Sequence, residues 1–473
     1  MEKQNKMTIP AIFSVALLTV MASTAISPAL STIKNAFPYA TDTQIKLVLT
    51  LPSLVMIPFS FISGWLSSKI DIKKVLYLGI IIYLIFGIGG CFATSLNMLL
   101  VIRAGFGISI GLLMPLANTL IFDLVEPDRR SKILGLSSSV NQLGGVIVLS
   151  LAGVLASMNW RYSFLVYAFA FVSMFFVYRW IPNLSSLKVV EDKKISFARG
   201  KLNWKVFALA FLAMVSSLSF FVINTDLSLY LQDRRMEFAT NLQMFSSRQA
   251  LLDAIKKGKI DNNAKMEFKK NKIHLSRFAY IVEVTPKKEW RICDFKKDYS
   301  IVKENGKLKI YSMFGTPQLS GILLSIMGIP AVLAGLILSY VLKKIKFYLM
   351  PLAAGLMAIG YFLLAIAFSV SFIIVAVLFI GLAGGLLTPP MMLLIPKMVS
   401  LQSRTLAIAI LSSSILLGQF VSPLFVKGMG QLLGMQGFVF NFSLIAMVMG
   451  IGAVGGFFYV LFYNKFHAGM KKI

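Results

Sequence analysis

Apolar residues fill this chain in blocks of about 20, the length at which a helix rising 1.5 Å per residue crosses the hydrocarbon of a bilayer. Twelve blocks are read, at 8–30, 45–67, 75–95, 98–122, 135–157, 162–182, 205–231, 317–341, 348–368, 370–395, 404–427 and 437–463. The polar connections between them are short except between Leu231 and Phe314. The pattern predicts an all-α polytopic membrane protein of twelve transmembrane helices, with a small α+β soluble insertion between helices 7 and 8. The first block is longer than the apolar core of a cleaved signal and is read as a span.

Inside the interruption the period changes. Thr240–Lys259 reads as an amphipathic helix ended by Gly258. Arg277–Pro286, Lys288–Phe295, Asp298–Glu304 and Lys307–Phe314 read as short strands, with a hairpin turn over Glu304–Lys307. Removing Glu237–Met313 would leave an ordinary short loop, so this segment reads as an insertion, natural or added. The division expected is 1–195 for a six-helix bundle, 196–236 for a linker and helix 7, 237–313 for the insertion, and 314–473 for helices 8–12.

Charge fixes the expected orientation. If the N-terminus is cytoplasmic, the cytoplasmic segments hold 23 Lys and Arg, against only Lys34, Lys46, Arg161 and Lys427 in the short outer ones. Both termini are then cytoplasmic, the insertion is extracytoplasmic, and the location is the plasma or inner membrane. Residues 233–313 carry net +9 of the overall +28. The rest is what topology and anionic lipid headgroups require, so no nucleic-acid partner is needed. Cys91 in a span and Cys293 in the polar stretch are not expected to pair.

The chain also repeats itself. Arg130–Val140 resembles residues 405–415 at an offset of 275, and Gly111–Val125 resembles Gly385–Val399 at an offset of 274. Gly64, Ser68, Lys73 and Lys74 find a weaker echo in Gly335, Ser339, Lys343 and Lys344. Two six-helix halves in the same orientation imply a substrate site between them near the midplane.

These features resemble the major facilitator superfamily, in its drug:proton antiporter (multidrug efflux) branch, over everything but residues 237–313. Gly64–Lys74 stands where the family has its glycine–acid–basic loop, with Ser68 in place of the usual Asp and Asp71 in place of the usual Gly. Arg103, within RAGFGISIG, matches the family's span-4 arginine, and NQLGGVIVLSLAG resembles the antiporter motif, with Ser150 where a Pro normally stands. SPALSTIKNAF and NWRYSF also look like drug-efflux members. The resemblance implies alternating access, with Gly64, Asp71, Lys73 and Lys74 as a cytoplasmic gate and Arg103 linked to coupling. Holding helices together is the structural reading of that arginine.

Of nine acids outside residues 233–313, only Asp226 lies inside a span. A buried carboxyl that binds and releases a proton is what proton coupling needs. The plainer reading places Asp226 one turn from the outer surface, wet and merely polar. Asn141, Gln142, Asn224, Tyr361, Met391 and Gln419 are substrate-cavity candidates. Gly144-Gly145, Gly384-Gly385 and Pro389-Pro390 mark points for close helix approach or bending. There is no nucleotide-binding loop, metal-ligand spacing or nucleophile–base set, so no cofactor and no enzymatic activity are expected. The expected function is export of a small amphipathic organic substrate against protons, by a monomer among membrane lipids. A lipid, sugar or metabolite exporter is the alternative within transport. A receptor or adaptor that binds an external partner through the insertion is the alternative of another class.

Overall fold

In a computed structural model of the chain, residues 7–182, 204–233, 316–345, 348–367, 370–399 and 404–470 are described, together with seven strands between 235 and 313. Among the described residues, twelve helical stretches are long and apolar enough to cross a membrane, the first running on to Ala36 and the sixth starting at Trp160. Their main helices are α1 (Thr8–Thr24), α2 (Asp42–Lys69), α3 (Ile72–Gly89), α4 (Leu96–Leu124), α5 (Pro127–Met158), α6 (Ala170–Trp180), α7 (Trp204–Asp233), α8 (Pro317–Ile345), α9 (Leu349–Ile366), α10 (Val370–Met398), α11 (Arg404–Leu433) and α12 (Phe438–Met470). After α1 the chain continues through a 3-10 turn, Ser27–Ala29, into a short helix, Leu30–Ala36, and a 3-10 segment, Trp160–Phe169, precedes α6. Helices α2, α5 and α12 run past the apolar blocks because polar residues can carry a helix beyond the hydrocarbon. With twelve spans, the start of α1 and the end of α12 lie at one end of the bundle, the near end. The other is the remote end.

Local chemistry sets where the helices begin. Thr41 and Gln44 form a capping box at α2: the Gln44 amide donates to Thr41 Oγ1 (3.3 Å), and the Thr41 amide donates to Gln44 Oε1 (2.9 Å). Ser95 Oγ accepts from the Met98 amide at the start of α4 (3.2 Å).

The repeat is visible in the packing. A Cβ at Gly107 or Gly111 of α4 would lie 2.6 Å from the carbonyl oxygen of Pro52 or 2.9 Å from that of Met56, both on α2. In the second half, Gly381 and Gly385 of α10 meet the carbonyls of Met327 and Ala331 on α8 in the same way. Each residue and its counterpart are separated by the offset of 274–275 found in the sequence. Glycine is required at these four places because backbone meets backbone, the close packing that small residues permit between membrane helices.

Strands β1 (Arg235–Leu242), β2 (Met266–Lys269), β3 (Lys272–Leu275), β4 (Tyr280–Val284), β5 (Trp290–Asp294), β6 (Lys297–Glu304) and β7 (Lys307–Met313) pair antiparallel in the order β1-β7-β6-β5-β4-β3-β2. Arg235 pairs with Met313, so the two ends of the sheet's chain leave side by side. Thr240–Leu242, read as the start of a helix, lie instead in β1. The remainder of that reading lies outside the described residues.

Candidate functional site at the seam between the halves

Two helix pairs join the halves, α5 with α8 and α2 with α11. They are repeat-related, since each half contributes its second and fifth helix. At the α5–α8 crossing the backbones nearly touch: a Cβ on Gly153 would lie 2.8 Å from the Pro317 carbonyl and 3.1 Å from the Gly321 Cα. Ser150, the departure from the antiporter pattern, bonds Ser325 across this crossing at 2.8 Å, and Ser325 Oγ also donates to the Val146 carbonyl (2.8 Å). On the other pair, Ser53 Oγ donates to Gln419 Oε1 (2.9 Å).

The 3-10 turn and short helix that follow α1 are tied to the remote end of α7 by hydroxyls. Ser27 Oγ donates to the Asn224 carbonyl, Ser228 Oγ donates to the Pro28 carbonyl (2.9 Å), and Ser228 and Ser31 hydroxyls lie 2.9 Å apart. Nearer the surface, Gln232 Nε2 donates to Asn35 Oδ1 (2.5 Å). These cross-half bonds all lie between mid-height and the remote end, so the remote end is closed. Gly153→Val is expected to open it, because the added isopropyl group has nowhere to go and overpacking costs about 1–3 kcal/mol. Spin labels at positions 35 and 232 would read a longer distance in the variant. An unchanged distance would mean that the crossing does not hold the remote end shut.

Among the described residues, charge enters the seam at one place. Lys46 lies one turn into α2, on the face shared with Thr50 and Ser53, and it is 5% exposed. Its Nζ is 2.9 Å from Asp226 Oδ1 on α7 and 5.4 Å from the centre of the Phe438 ring on α12. Thr225 Oγ1 donates to the same carboxylate oxygen (2.6 Å), and Asn441 Nδ2 donates to Oδ2 (2.6 Å). Both oxygens are therefore occupied, as a buried ion pair needs in order to offset desolvation. Asp226 is 1% exposed, so it is neither wet nor alone. Lys46, counted in the sequence among outer-loop charges, is its partner from the other half. A lysine four residues past the Asp42 helix start, inside an apolar block, was the available signal. Thr50 Oγ1 and Ser422 Oγ, one turn from this pair and from Gln419 respectively, are buried hydroxyls without a protein partner.

Arg103 on α4 is 0% exposed and belongs wholly to the first half. Pro52 has no N–H, so the Val48 carbonyl one turn earlier in α2 has no helical donor. Arg103 Nε supplies it at 2.7 Å. Its other nitrogens reach the Tyr167 hydroxyl (3.2 Å) and the Ala22 carbonyl (3.5 Å), and its guanidinium lies 4.8 Å from the centre of the Phe106 ring. The arginine thus joins α1, α2 and the 3-10 segment before α6.

Tyr361, read as a cavity residue, is fully buried. Its hydroxyl accepts from the Ile223 amide (3.0 Å) and donates to the Ser219 carbonyl, so it packs α9 against α7. Met391 is also buried. Asn224 donates to the Phe220 carbonyl (3.3 Å), and its Oδ1 has no protein partner, as is also true of Asn141 Oδ1. Gln142 is exposed. Of the cavity candidates, Gln419 and Asn224 contact the opposite half directly. In the loop read as a gate, Asp71 caps α3 by accepting from the Lys73 amide (2.8 Å), and Lys73 Nζ donates to the Tyr178 carbonyl on α6 (3.2 Å). Those contacts stay within the first half. Lys74 is exposed, and a Cβ on Gly64 would meet nothing within 4 Å.

The Major Facilitator Superfamily profile matches residues 12–251 and 302–470. Multidrug resistance protein 3 of Bacillus subtilis is 34% identical over 122 residues, 25% of this chain and 24% of that protein. Quinolone resistance protein NorA of Staphylococcus aureus is 26% identical over 195 residues, 39% of this chain and 47% of that protein. The Arabinose-proton symporter of Escherichia coli is 30% identical over 122 residues, 26% of each. The matches thus span less than half the length of these relatives. In fold, the chain is similar to a point mutant of the nucleoside transporter NupG, with a TM-score of 0.65 at 10% identity over 96% of this chain and 99% of that one. It is also similar to the xylose transporter XylE of E. coli, with a TM-score of 0.61 at 14% identity over 95% of each chain.

Proposed function

Because the chain belongs to the Major Facilitator Superfamily, and is thus a multi-pass membrane carrier, we propose that it exports small amphipathic organic compounds in exchange for protons, by alternating access. The observation that carries this reading is the buried Lys46–Asp226 pair, which joins two halves that alternating access must separate at that end. A carboxylate that loses its counter-charge when the halves part has a reason to take a proton, and a proton gradient can then drive the cycle. The drug-efflux direction draws on the partial relatives named for multidrug and quinolone resistance. The excess of Lys and Arg at the near end assigns that end to the cytoplasm and the insertion to the outer side.

The test is movement of a cationic dye into proteoliposomes of the purified protein, with and without an imposed proton gradient. Gradient-dependent movement is the expected result. Movement indifferent to the gradient would remove proton coupling. No movement, with a sugar or metabolite carried instead, would replace the drug assignment with the exporter alternative, which the partial likeness to a sugar symporter favours.

A further inference from the structure

In the exchange as proposed so far, Lys46 is only the counter-charge that Asp226 loses. We infer that Lys46 is a tethered competitor of the proton: its ammonium holds Asp226 while the remote end is shut and yields the carboxylate to a proton when that end opens. This rests on the proton-exchange reading and names what enforces it.

The argument starts from position. Lys46 and Asp226 are on different halves, so parting the remote ends pulls Nζ from Oδ1, whereas Thr225 beside Asp226 and Asn441 on α12 move with the carboxylate. On opening, the Asp226 carboxylate takes one proton from water and becomes a neutral acid, while the Lys46 ammonium passes into solvent. On closing, as the near end opens, the acid gives that proton to water on the near side, and the ammonium takes up the 2.9 Å contact again. Charge is conserved in each direction, and no other reactant is needed.

The other groups near Asp226 do not substitute for Lys46. Tyr361 of α9 is bonded to the α7 backbone, and Tyr230 of α7 donates to the Leu364 carbonyl (3.2 Å). From α11 come Gln419 and Ser422, from α8 Ser320, and from α12 Asn441, none of which is charged. The short helix Leu30–Ala36 brings Lys34, which pairs with Asp42 at the half-exposed surface. Among the described residues, Lys46 is the cation in contact with Asp226.

The inference fixes a sign that simple packing would not. In the parent protein, the closed form buries a matched pair. Acid discharges Asp226 and leaves a bare ammonium in the seam, so acid opens the remote end. In Lys46→Met, the closed form would bury an unmatched carboxylate, which is costly until it is protonated. There acid should close the remote end, reversing the response.

The experiment measures the distance between spin labels at positions 35 and 232 in the full chain, reconstituted in lipid, between pH 5 and pH 8. In the parent, the longer distance should gain population on acidification by several-fold. Lys46→Met should show the opposite trend, Lys46→Arg should retain the parent trend, and Asp226→Asn should show none. A parent-like acid response in Lys46→Met, or a parent whose distances ignore pH, overturns the inference. Lys46→Arg keeps the test usable if the methionine variant does not fold, since a reversed or absent response in it also contradicts a role for the cation. The readout does not involve transport. Inert dye with a pH response that reverses in Lys46→Met would sink the drug-export reading and leave this inference standing, whereas gradient-driven dye movement with an unchanged Lys46→Met response would do the opposite.

Discussion

Asp226→Asn is expected to reduce gradient-driven dye movement to the level of protein-free liposomes. The amide preserves the shape of the carboxyl and can still bond Thr225 and Asn441, so the fold is retained. It cannot carry a proton between sides. Lys46 loses its counter-charge, so the remote end should stand open in this variant with the ammonium in solvent, which leaves the helices themselves intact. Asp226→Ala should be worse for stability, because it adds a void and removes the acceptors of Thr225 and Asn441. Removing one member of a buried pair costs about 3–5 kcal/mol. Measuring dye movement beside thermal unfolding in detergent separates the two effects. Undiminished transport by Asp226→Asn at every pH would reject the assignment of this carboxylate.

Arg103→Met is expected to lower the stability of the first half by about 2–4 kcal/mol, since a charged donor is lost and a buried carbonyl and hydroxyl are left unpaired. The cause can be isolated. If the Val48 carbonyl needs Arg103 because Pro52 offers it no N–H, then Pro52→Ala in the Arg103→Met background should restore a helical bond and recover about 1 kcal/mol. In the parent, the same change has no such gain to make, because the carbonyl already accepts from Nε at 2.7 Å. Thermal unfolding of the four proteins gives the coupling directly. Equal effects of Pro52→Ala in both backgrounds would show that the arginine is not acting as the substitute donor.

The twelve spans and the repeat could be read from the chain because a bilayer demands long apolar blocks and a close helix crossing demands glycine at fixed spacing. Gly111 and Gly385 are at once a sequence match and the same physical contact. Asp226 could be singled out because an acid within a span stands out. Its partner could not, since Lys46 is 180 positions away and a lysine near a span end reads equally well as an interfacial charge. Tyr361 illustrates the opposite problem: an aromatic with a hydroxyl suits a ligand cavity, but here that hydroxyl ties two helices together. No sequence rule distinguishes the two uses, because the carbonyl of Ser219 becomes its neighbour only through tertiary packing. Arg103 lay between these cases. Its burial was foreseeable from its span, and Pro52 marked a carbonyl in need of a donor, but only the fold brings α4 and α2 into contact.

The offset of 275 that relates the halves sets Lys46 of α2 opposite Gly321 of α8. The first carries the buried cation, and the second forms the bare backbone crossing with Gly153. The two positions are equivalent in the repeat and differ in chemistry and in the helix they meet. The glycine joint has no side chain to rearrange if the halves roll, and so would serve as a bearing, while under the proposed exchange the lysine joint would serve as a bolt released only by protonation. If the proposed exchange holds, the two properties can vary separately: changes at the glycine joint would alter how fast the halves roll, and changes at the lysine joint would alter how opening responds to protons.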